Sequence, residues 1–586
     1  MKLFEVDEKT RAQEKNRPKF TMHAFKNIYR GVKIPWGQYV IAAATGVLFY
    51  AISGSVASVS SQIAAGDFSD PSAIIKYVVI SIVALGAEVA GYLLDRANYT
   101  LNTRVKSKLW RKLLRLPSEY YDRESPNRVI SRVTVDSDAA LVPFTLPIIL
   151  LVLLAMLLGV LASGAGIFNT PMSKWLIFGM VGMIALTAFA LRICLIVGFV
   201  SANRLSAFTA FLSERLADFK LIKASCAEDS ELAEAHQLIE NRYKADLLGV
   251  GGLTLNYVST YVALIFVYIG CFLLGWQYFS SGAVTEGQTF IRFNAYAASI
   301  SALMQYVSMV VSSLGTGAGQ ATKFAAIFDE KEEDNASGAA MPEQGQDIVL
   351  KDVSFSYDGR RDVLQNISCR IPRGKITALV GSNGSGKSTL IKVVDRLYTN
   401  TKGEMLFGEE AVGDINLAAW REKIGIVSQN ASLFSGTIRD NICYGVSEVP
   451  EDTLQAVCRT AGLDRILQAH PEGLDYEVGI GGCKLSGGEQ QRIAVARAMI
   501  KDPEYLILDE ATANLDSRTA REVEEGIGRL MEGRTVISIA HSFDMIQKAD
   551  QIIVLSEGQL QDSGTHEELM ERNDFYRQLC RAGFEV

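Results

Sequence analysis

The residues best suited to chemistry lie in the second half of this 586-residue chain. Gly381-Ser382-Asn383-Gly384-Ser385-Gly386-Lys387-Ser388-Thr389 follows a short apolar run at 376–380. This is the G-x-x-x-x-G-K-[ST] spacing in the setting it requires, between an expected strand and an expected helix. The glycines let backbone N–H groups curl around an anion, and the helix N-terminus adds a favourable dipole. In that frame Lys387 would reach the β- and γ-phosphates of a nucleotide and Ser388 would bind Mg²⁺. Tyr505-Leu-Ile-Leu-Asp509-Glu510 reads as a buried parallel strand ending in two acids. Asp509 is placed to hold the magnesium ion through water, and Glu510 to accept a proton from attacking water or to orient it. Leu485-Ser486-Gly487-Gly488-Glu489-Gln-Gln-Arg492 opens a helix that continues through 494–498, and makes a second anion-ready N-terminus. One nucleotide does not need two such loops on one domain. The economical explanation is that this loop covers phosphates bound by a partner copy; an ordinary helix cap is the alternative for the motif taken alone.

The elements that must position these residues are those of a soluble α/β domain at 347–586, with strands expected at 348–357 and 376–380. Residues 330–346 are charged, then small and polar, and read as a linker. Ahead of it the apolar content rises sharply. Six segments approach the roughly 20 apolar residues that a membrane-spanning helix needs: 36–56, 74–94, 141–161, 175–197, 253–276 and 287–312. The sixth is rich in Ala, Ser and Gly, as expected where a helix faces water or close-packed neighbours instead of lipid. The chain thus divides into an N-terminal segment 1–35, a six-helix membrane domain 36–329, the linker and the α/β domain.

Connections 57–73, 163–173 and 277–286 contain no Lys or Arg, whereas 95–140 and 198–252 are rich in both. The basic connections and both termini are therefore expected on the cytoplasmic side. Structureless loops of that length are uncommon, so both long connections are read as helical, each descending some 30 Å below the membrane and returning. Each has a central break, at 117–126 and at 217–223, expected to be a tip that touches the α/β domain. Ionisable residues within spans are functional candidates. Glu88 is a candidate for a substrate or coupling contact, with packing against another polar group the equal alternative. Arg192 and Arg292 sit near span ends, where snorkelling to the interface explains them as well.

The net charge of −7 gives no sign of a nucleic-acid partner. The eight cysteines are scattered without a C-x-x-C pair, so neither a zinc site nor a disulfide framework is expected. The first thirty-odd residues are polar and basic, unlike a cleavable signal peptide.

Taken together, these motifs resemble the ATP-binding-cassette transporter family, specifically half-size exporters, over essentially the whole chain. The resemblance implies a multidomain membrane protein: an all-α six-helix exporter domain followed by an α/β P-loop ATPase domain with a helical subdomain. It implies ATP and Mg²⁺ as cofactors. Tyr357 looks like the aromatic residue that stacks on adenine. Gln429, in Val427-Ser-Gln-Asn430, is similar to the glutamine that senses magnesium and contacts the membrane half. Ser486, Gly487 and Gly488 match the signature that clamps the opposing nucleotide. Asn514-Leu515-Asp516 matches the loop joining the two sites, and His541 the histidine on the γ-phosphate. Leu114-Arg-Leu-Pro-Ser-Glu-Tyr-Tyr121-Asp122 looks like the stretch preceding the first coupling helix. The implied assembly is a domain-swapped dimer with a second half-transporter, two ATP sites at its interface and an amphipathic cargo. Three positions depart from the pattern. Ile480 stands where an acidic residue often meets the coupling helices, Ser542 where arginine is frequent, and Lys323 where many relatives have arginine.

Fusion of the membrane half ahead of the cassette favours export, with membrane lipid around it, and a bacterial plasma membrane as the expected location. An importer that kept the exporter fold, the competent half of an asymmetric heterodimer, and an ATP-gated channel are the alternatives. The spans exclude a soluble cassette acting on nucleic acid or ribosomes.

Overall fold

The computed structural model describes residues 22–54, 72–124, 126–134, 137, 141–163, 178, 181–182, 185, 200–201, 204–205, 207–209, 211–280, 324–342, 345–509, 517–540 and 543–583. The chain divides into two compact units, Met1–Leu116 with Tyr120–Glu332, and Glu333–Val586 with Pro117–Glu119.

The named elements ahead of the second unit's main body are all helices: α1 Met22–Tyr29, α2 Trp36–Gly54, α3 Ser72–Leu113, α4 Ser118–Arg123 (whose first two residues belong to the second unit), α5 Pro126–Thr134, α6 Val142–Ser163, α7 Phe219–Ala224 and α8 Glu228–Ser280. At about 1.5 Å per residue, the 42 residues of α3 run roughly 60 Å. The stretch expected as a span at 74–94 and its basic extension are therefore one continuous helix. The 53 residues of α8 do the same for 253–276. Along α3, Ala97, Leu101, Val105, Leu109 and Leu113 recur every fourth residue and are all buried. This single face packs with Ile28 of α1 and with Phe324, Ile327 and Phe328. α2 packs on both α3 and α6. The break expected at 117–126 contains the short α4, and Pro126 is the first residue of α5, where its missing N–H costs nothing. The second break is the short α7 between Asp218 and residues 225–227, with Cys226 in left-handed backbone (φ 49°). Lys223 pairs with Glu228 across it at 2.8 Å.

Among the described residues no helix is long and apolar enough to cross a membrane. The sixth expected span and most of the fourth lie outside the described residues, as do Arg192, Arg292 and Lys323. Glu88 is exposed on α3.

The second unit is built on two sheets. Its strands are β1 Ile348–Phe355, β2 Leu364–Ile371, β3 Ile376–Gly381, β4 Lys402–Phe407, β5 Glu410–Ala411, β6 Ile424–Val427, β7 Tyr505–Asp509, β8 Thr535–Ile539, β9 Gln551–Ser556 and β10 Gln559–Gly564. A four-stranded antiparallel sheet runs β2-β1-β4-β5, and a six-stranded sheet runs β10-β9-β3-β8-β7-β6. In the larger sheet β9, β3, β8, β7 and β6 are parallel and β10 is antiparallel. Parallel strands covered on both faces read as unbroken apolar runs; every residue of β8 is buried, and all of β7 but Asp509. The helices are α9 Lys387–Val394, α10 Leu417–Lys423, α11 Ile438–Ile442, α12 Glu451–Thr460, α13 Asp464–Ala469, α14 Gly487–Lys501, α15 Ser517–Met531, α16 Phe543–Lys548, α17 His566–Arg572 and α18 Asp574–Gly583. Leu433, Ile438, Leu454, Ile466, Ile493 and Val495 knit the helices around α14 into a second core on β6–β8.

The segment read as a linker is bonded to this unit from Glu333 onward. Glu333 makes a two-pronged ion pair with Arg421 of α10 at 2.8 and 2.9 Å. Asn416 Nδ2 donates to the carbonyls of Asn335 and Ser337, and Ala339 N donates to the Asp414 carbonyl at 2.7 Å. Backbone donors and acceptors that composition alone assigns to solvent are thus satisfied by protein.

Candidate nucleotide-binding site

β3 ends at Gly381, and its continuation turns back through Gly384 (φ 78°) and Gly386 (φ 103°) into α9. Those angles are the left-handed region that glycine enters without a Cβ penalty. A Cβ at Gly386 would stand 2.8 Å from Leu364 Cδ2, and one at Gly381 would meet the Leu555 carbonyl oxygen. The loop is therefore pinched against β2 and β9. Gly386 is the N-cap of α9 and supplies no side-chain cap, which leaves the first-turn N–H groups to an anion. Lys387 is buried within the loop, donating to the carbonyls of Gly381 at 2.8 Å and Ser382 at 3.0 Å. Ser388 is exposed between the buried Lys387 and Thr389, while Ser382, Asn383 and Gly384 form the exposed outer curve and Ser385 is buried.

The carboxyl ends of β3, β8, β7 and β6 fall on one edge, because these strands are parallel neighbours. That edge is where ligands bind in open α/β sheets. Asp509 closes β7, in register with Ile539 of β8. Gln429 follows β6 by two residues and is exposed. Ser388, Asp509 and Gln429 are oxygen donors of the kind Mg²⁺ takes alongside phosphate and water. Among the described residues no cluster of three or more His, Cys, Asp or Glu is arranged for a metal. Glu510, Asn514, Leu515, Asp516, His541 and Ser542 lie outside the described residues.

Ser486 caps α14. Its Oγ accepts from Glu489 N at 3.4 Å, and Glu489 Oε2 accepts from Ser486 N at 2.8 Å. This capping box occupies two N-terminal donors; Ser486 and Gly487 are exposed and Gly488 is buried. Glu489 thus acts on Ser486. Gln491 Nε2 donates to the Ser428 carbonyl at 3.1 Å, tying the α14 N-terminus to the loop that carries Gln429.

Tyr357 lies two residues beyond β1, shorter than the strand expected to 357, because Asp358 accepts from the N–H groups of Arg360 and Arg361 and turns the chain. These bonds hold the Asp358 carboxyl below its usual range. The Tyr357 ring meets Phe355 at 4.9 Å and Tyr398 at 5.2 Å, both edge-to-face, and its hydroxyl is 3.2 Å from Thr389 Oγ1. Its exposure of 47% leaves ring surface open beside the phosphate loop.

The family description "ABC transporter transmembrane region" matches residues 39–304, and "ABC transporter" matches 364–513. An ATP-dependent lipid A-core flippase from Cupriavidus pinatubonensis is 30% identical over 84% of this chain and 84% of its own length. The chain belongs to the ABC transporter family. Its similarity to a Haemophilus influenzae lipid A-core flippase is 28% over 96% of this chain and 98% of that one. A Lactococcus lactis multidrug resistance ABC transporter is 29% identical over 85% and 83%. Among solved structures, a bacterial Atm1-family ABC exporter with ATP bound superposes with a TM-score of 0.83 over 94% of this chain, at 22% identity, a likeness of fold. This ABC transporter is thus an integral membrane protein of half-transporter architecture, whose ATP binding and hydrolysis drive export and which works paired with another half.

The sequence reading passed over Tyr398, Thr389's bond to Tyr357, and Gly558. Gly558 has φ 79°, accepts from Gln365 N at 2.8 Å and donates to the Ser385 carbonyl at 3.1 Å. The Glu557-Gly558 turn between two apolar runs was the available signal, but nothing local says that it backs the phosphate loop.

Proposed function

We propose that this transporter exports an amphipathic or hydrophobic compound (a drug, a lipid or a peptide) by alternating access, with ATP and Mg²⁺ held between two cassettes. The names of its relatives, a multidrug transporter and lipid flippases, support that cargo class. Lys387 would neutralise the β/γ-phosphates while the N–H groups of Gly384–Thr389 cradle them, Tyr357 would stack on the base, and Glu510 would take the proton of attacking water. His541 would contact the γ-phosphate, and Asp516 would lie in the loop that links the two nucleotide sites. Ser388, Asp509 and Gln429 would hold Mg²⁺, which would spread the charge that develops on the phosphates. ATP would favour the joined cassettes by binding them better than the parted ones, and hydrolysis would remove that preference. The proposed location is a bacterial plasma membrane, with both termini and the cassette cytoplasmic.

The observation that carries this reading is the exposed, glycine-rich N-terminus of α14 on a domain that already has a complete phosphate loop. A second phosphate-ready helix end serves a nucleotide held by another copy. The deciding experiment is ATPase activity of the chain alone in lipid, beside Glu510→Gln. Robust turnover that the substitution lowers at least about a hundredfold marks a self-sufficient homodimer. Near-normal turnover of the variant removes Glu510 as the base. A folded, ATP-binding chain without activity points to the competent half of a heterodimer.

A further inference from the structure

Between α1 and α2 the chain makes a short turn, Arg30-Gly31-Val32-Lys33-Ile34-Pro35, with Gly31 at φ 79°. Lys26, Asn27, Tyr29 and Arg30 are the described lining of a cavity of about 570 Å³ at this turn. Lys26, Arg30 and Lys33 are exposed, and none has a carboxylate partner among the described residues. Asp329 accepts from Asn27 Nδ2 at 2.9 Å, which puts one carboxylate beside this lining against three cationic side chains.

Two further cations bind backbone carbonyls, Lys108 at the end of α1 and Arg104 in the turn that follows it. Lys108 Nζ donates to the carbonyls of Asn27, Ile28 and Arg30 at 2.6, 2.9 and 2.8 Å, and Arg104 donates to the Lys33 carbonyl. These carbonyls would otherwise offset the lysines and arginines around them. Burial lowers the proton affinity of Lys108, as do the nearby Lys112 and Arg30, while Glu332 acts in the opposite direction.

Beside this cationic mouth stands an aromatic cluster. Phe144 of α6 meets Tyr29 at 4.8 Å, Trp36 at 5.8 Å and Tyr39 at 5.7 Å. Trp36 is 60% exposed at the start of the apolar α2, the position of a membrane-interface anchor. The turn therefore joins an anion-attracting surface to an exposed apolar one that begins at Trp36.

We propose that this cavity binds an anionic membrane phospholipid, its headgroup phosphate against Lys26 and Arg30 and its acyl chains along the Tyr29–Phe144–Trp36 aromatic surface. Arginine offers a planar fork to two phosphate oxygens and lysine a compact charge, the pairing that phosphodiester recognition uses. The lipid is a resident of the transporter's rim.

The test is retention of phosphatidylglycerol or phosphatidylcholine by the full chain in detergent, followed by native mass spectrometry. Three proteins are compared: wild type, K26Q/R30Q and K26R/R30K. Wild type is expected to keep phosphatidylglycerol in preference to phosphatidylcholine. K26Q/R30Q is expected to lose roughly thirtyfold in affinity for it, and K26R/R30K to recover most of that. ATPase activity in phosphatidylcholine vesicles should match wild type, since neither residue touches the nucleotide site. If the double variant is not recovered with that activity, K26Q and R30Q singly are each expected to lose about fivefold. Equal retention of phosphatidylglycerol by wild type and variants overturns the proposal, as does equal retention of both lipids by wild type. Displacement of the lipid by millimolar glycerol 3-phosphate would assign the cavity to a soluble phosphate and overturn the lipid assignment.

Discussion

Asp395, at the carboxyl end of α9, has surroundings that disfavour its charge. Burial pushes its carboxyl up to about 6, although Arg421 and Lys501 pull the other way. A raised acid binds its proton more tightly in the folded than in the unfolded chain. Its contribution to stability is therefore full below the unfolded value of about 4 and is lost as pH rises through about 6. Asp395→Asn should accordingly stabilise the ATPase unit at pH 7.5, by as much as ~3 kcal/mol, with the difference vanishing near pH 4. Denaturant unfolding at the two pH values checks this, and an unchanged difference between them would refute it. At the nucleotide site, Lys387→Ala should weaken ATP binding at least tenfold, on the loss of a charge-assisted contact. Tyr357→Ala should weaken ATP and ADP binding alike, because stacking does not read the γ-phosphate. Fluorescent-nucleotide titration measures both, and unchanged affinities would remove these roles.

At the scale of elements, the strap from Glu333 to Ala339 is the clearest gain over composition. Glu333 and Arg421 are largely buried, at 14% and 27% side-chain exposure, so removing one partner leaves the other's charge poorly solvated. Glu333→Ala should cost on the order of 2 kcal/mol and raise amide exchange over 333–339, read by hydrogen exchange; protection unchanged from wild type would show that the strap holds without its ion pair. The turn at Gly558 is the second case. A Cβ there would collide with the Val363 carbonyl oxygen, in backbone that already disfavours one. Gly558→Ala should push β2 from the phosphate loop and weaken ATP binding while Tyr357 stays in place, which the same titration follows.

For the whole molecule, the decisive question is how a domain with two phosphate-ready helix ends uses both. α9 opens without a side-chain cap, whereas α14 opens with a complete capping box that leaves Ser486 and Gly487 exposed. Ser486→Arg should leave ATP binding at the chain's own loop near wild type and lower turnover at least tenfold, since the bulky cation would block the approach of a partner's nucleotide. Loss of binding together with turnover would mean that Ser486 serves its own domain.

The motifs that repeat a local geometry were legible in residue order. Glycines spaced for a phosphate loop and an acid, Asp509, at the end of an apolar strand are patterns whose physics is contained within about ten residues. Family membership followed from them. Residue order could not show that Gly558 and Leu364 back the phosphate loop, that Tyr398 and Thr389 hold Tyr357, that Lys108 caps a helix some eighty positions earlier, or that the presumed linker is bonded to α10. Each of these is a contact between segments far apart in the chain, with no periodic signature. Only the packed tertiary structure, which must satisfy every buried donor, acceptor and charge, decides which of the available partners meet.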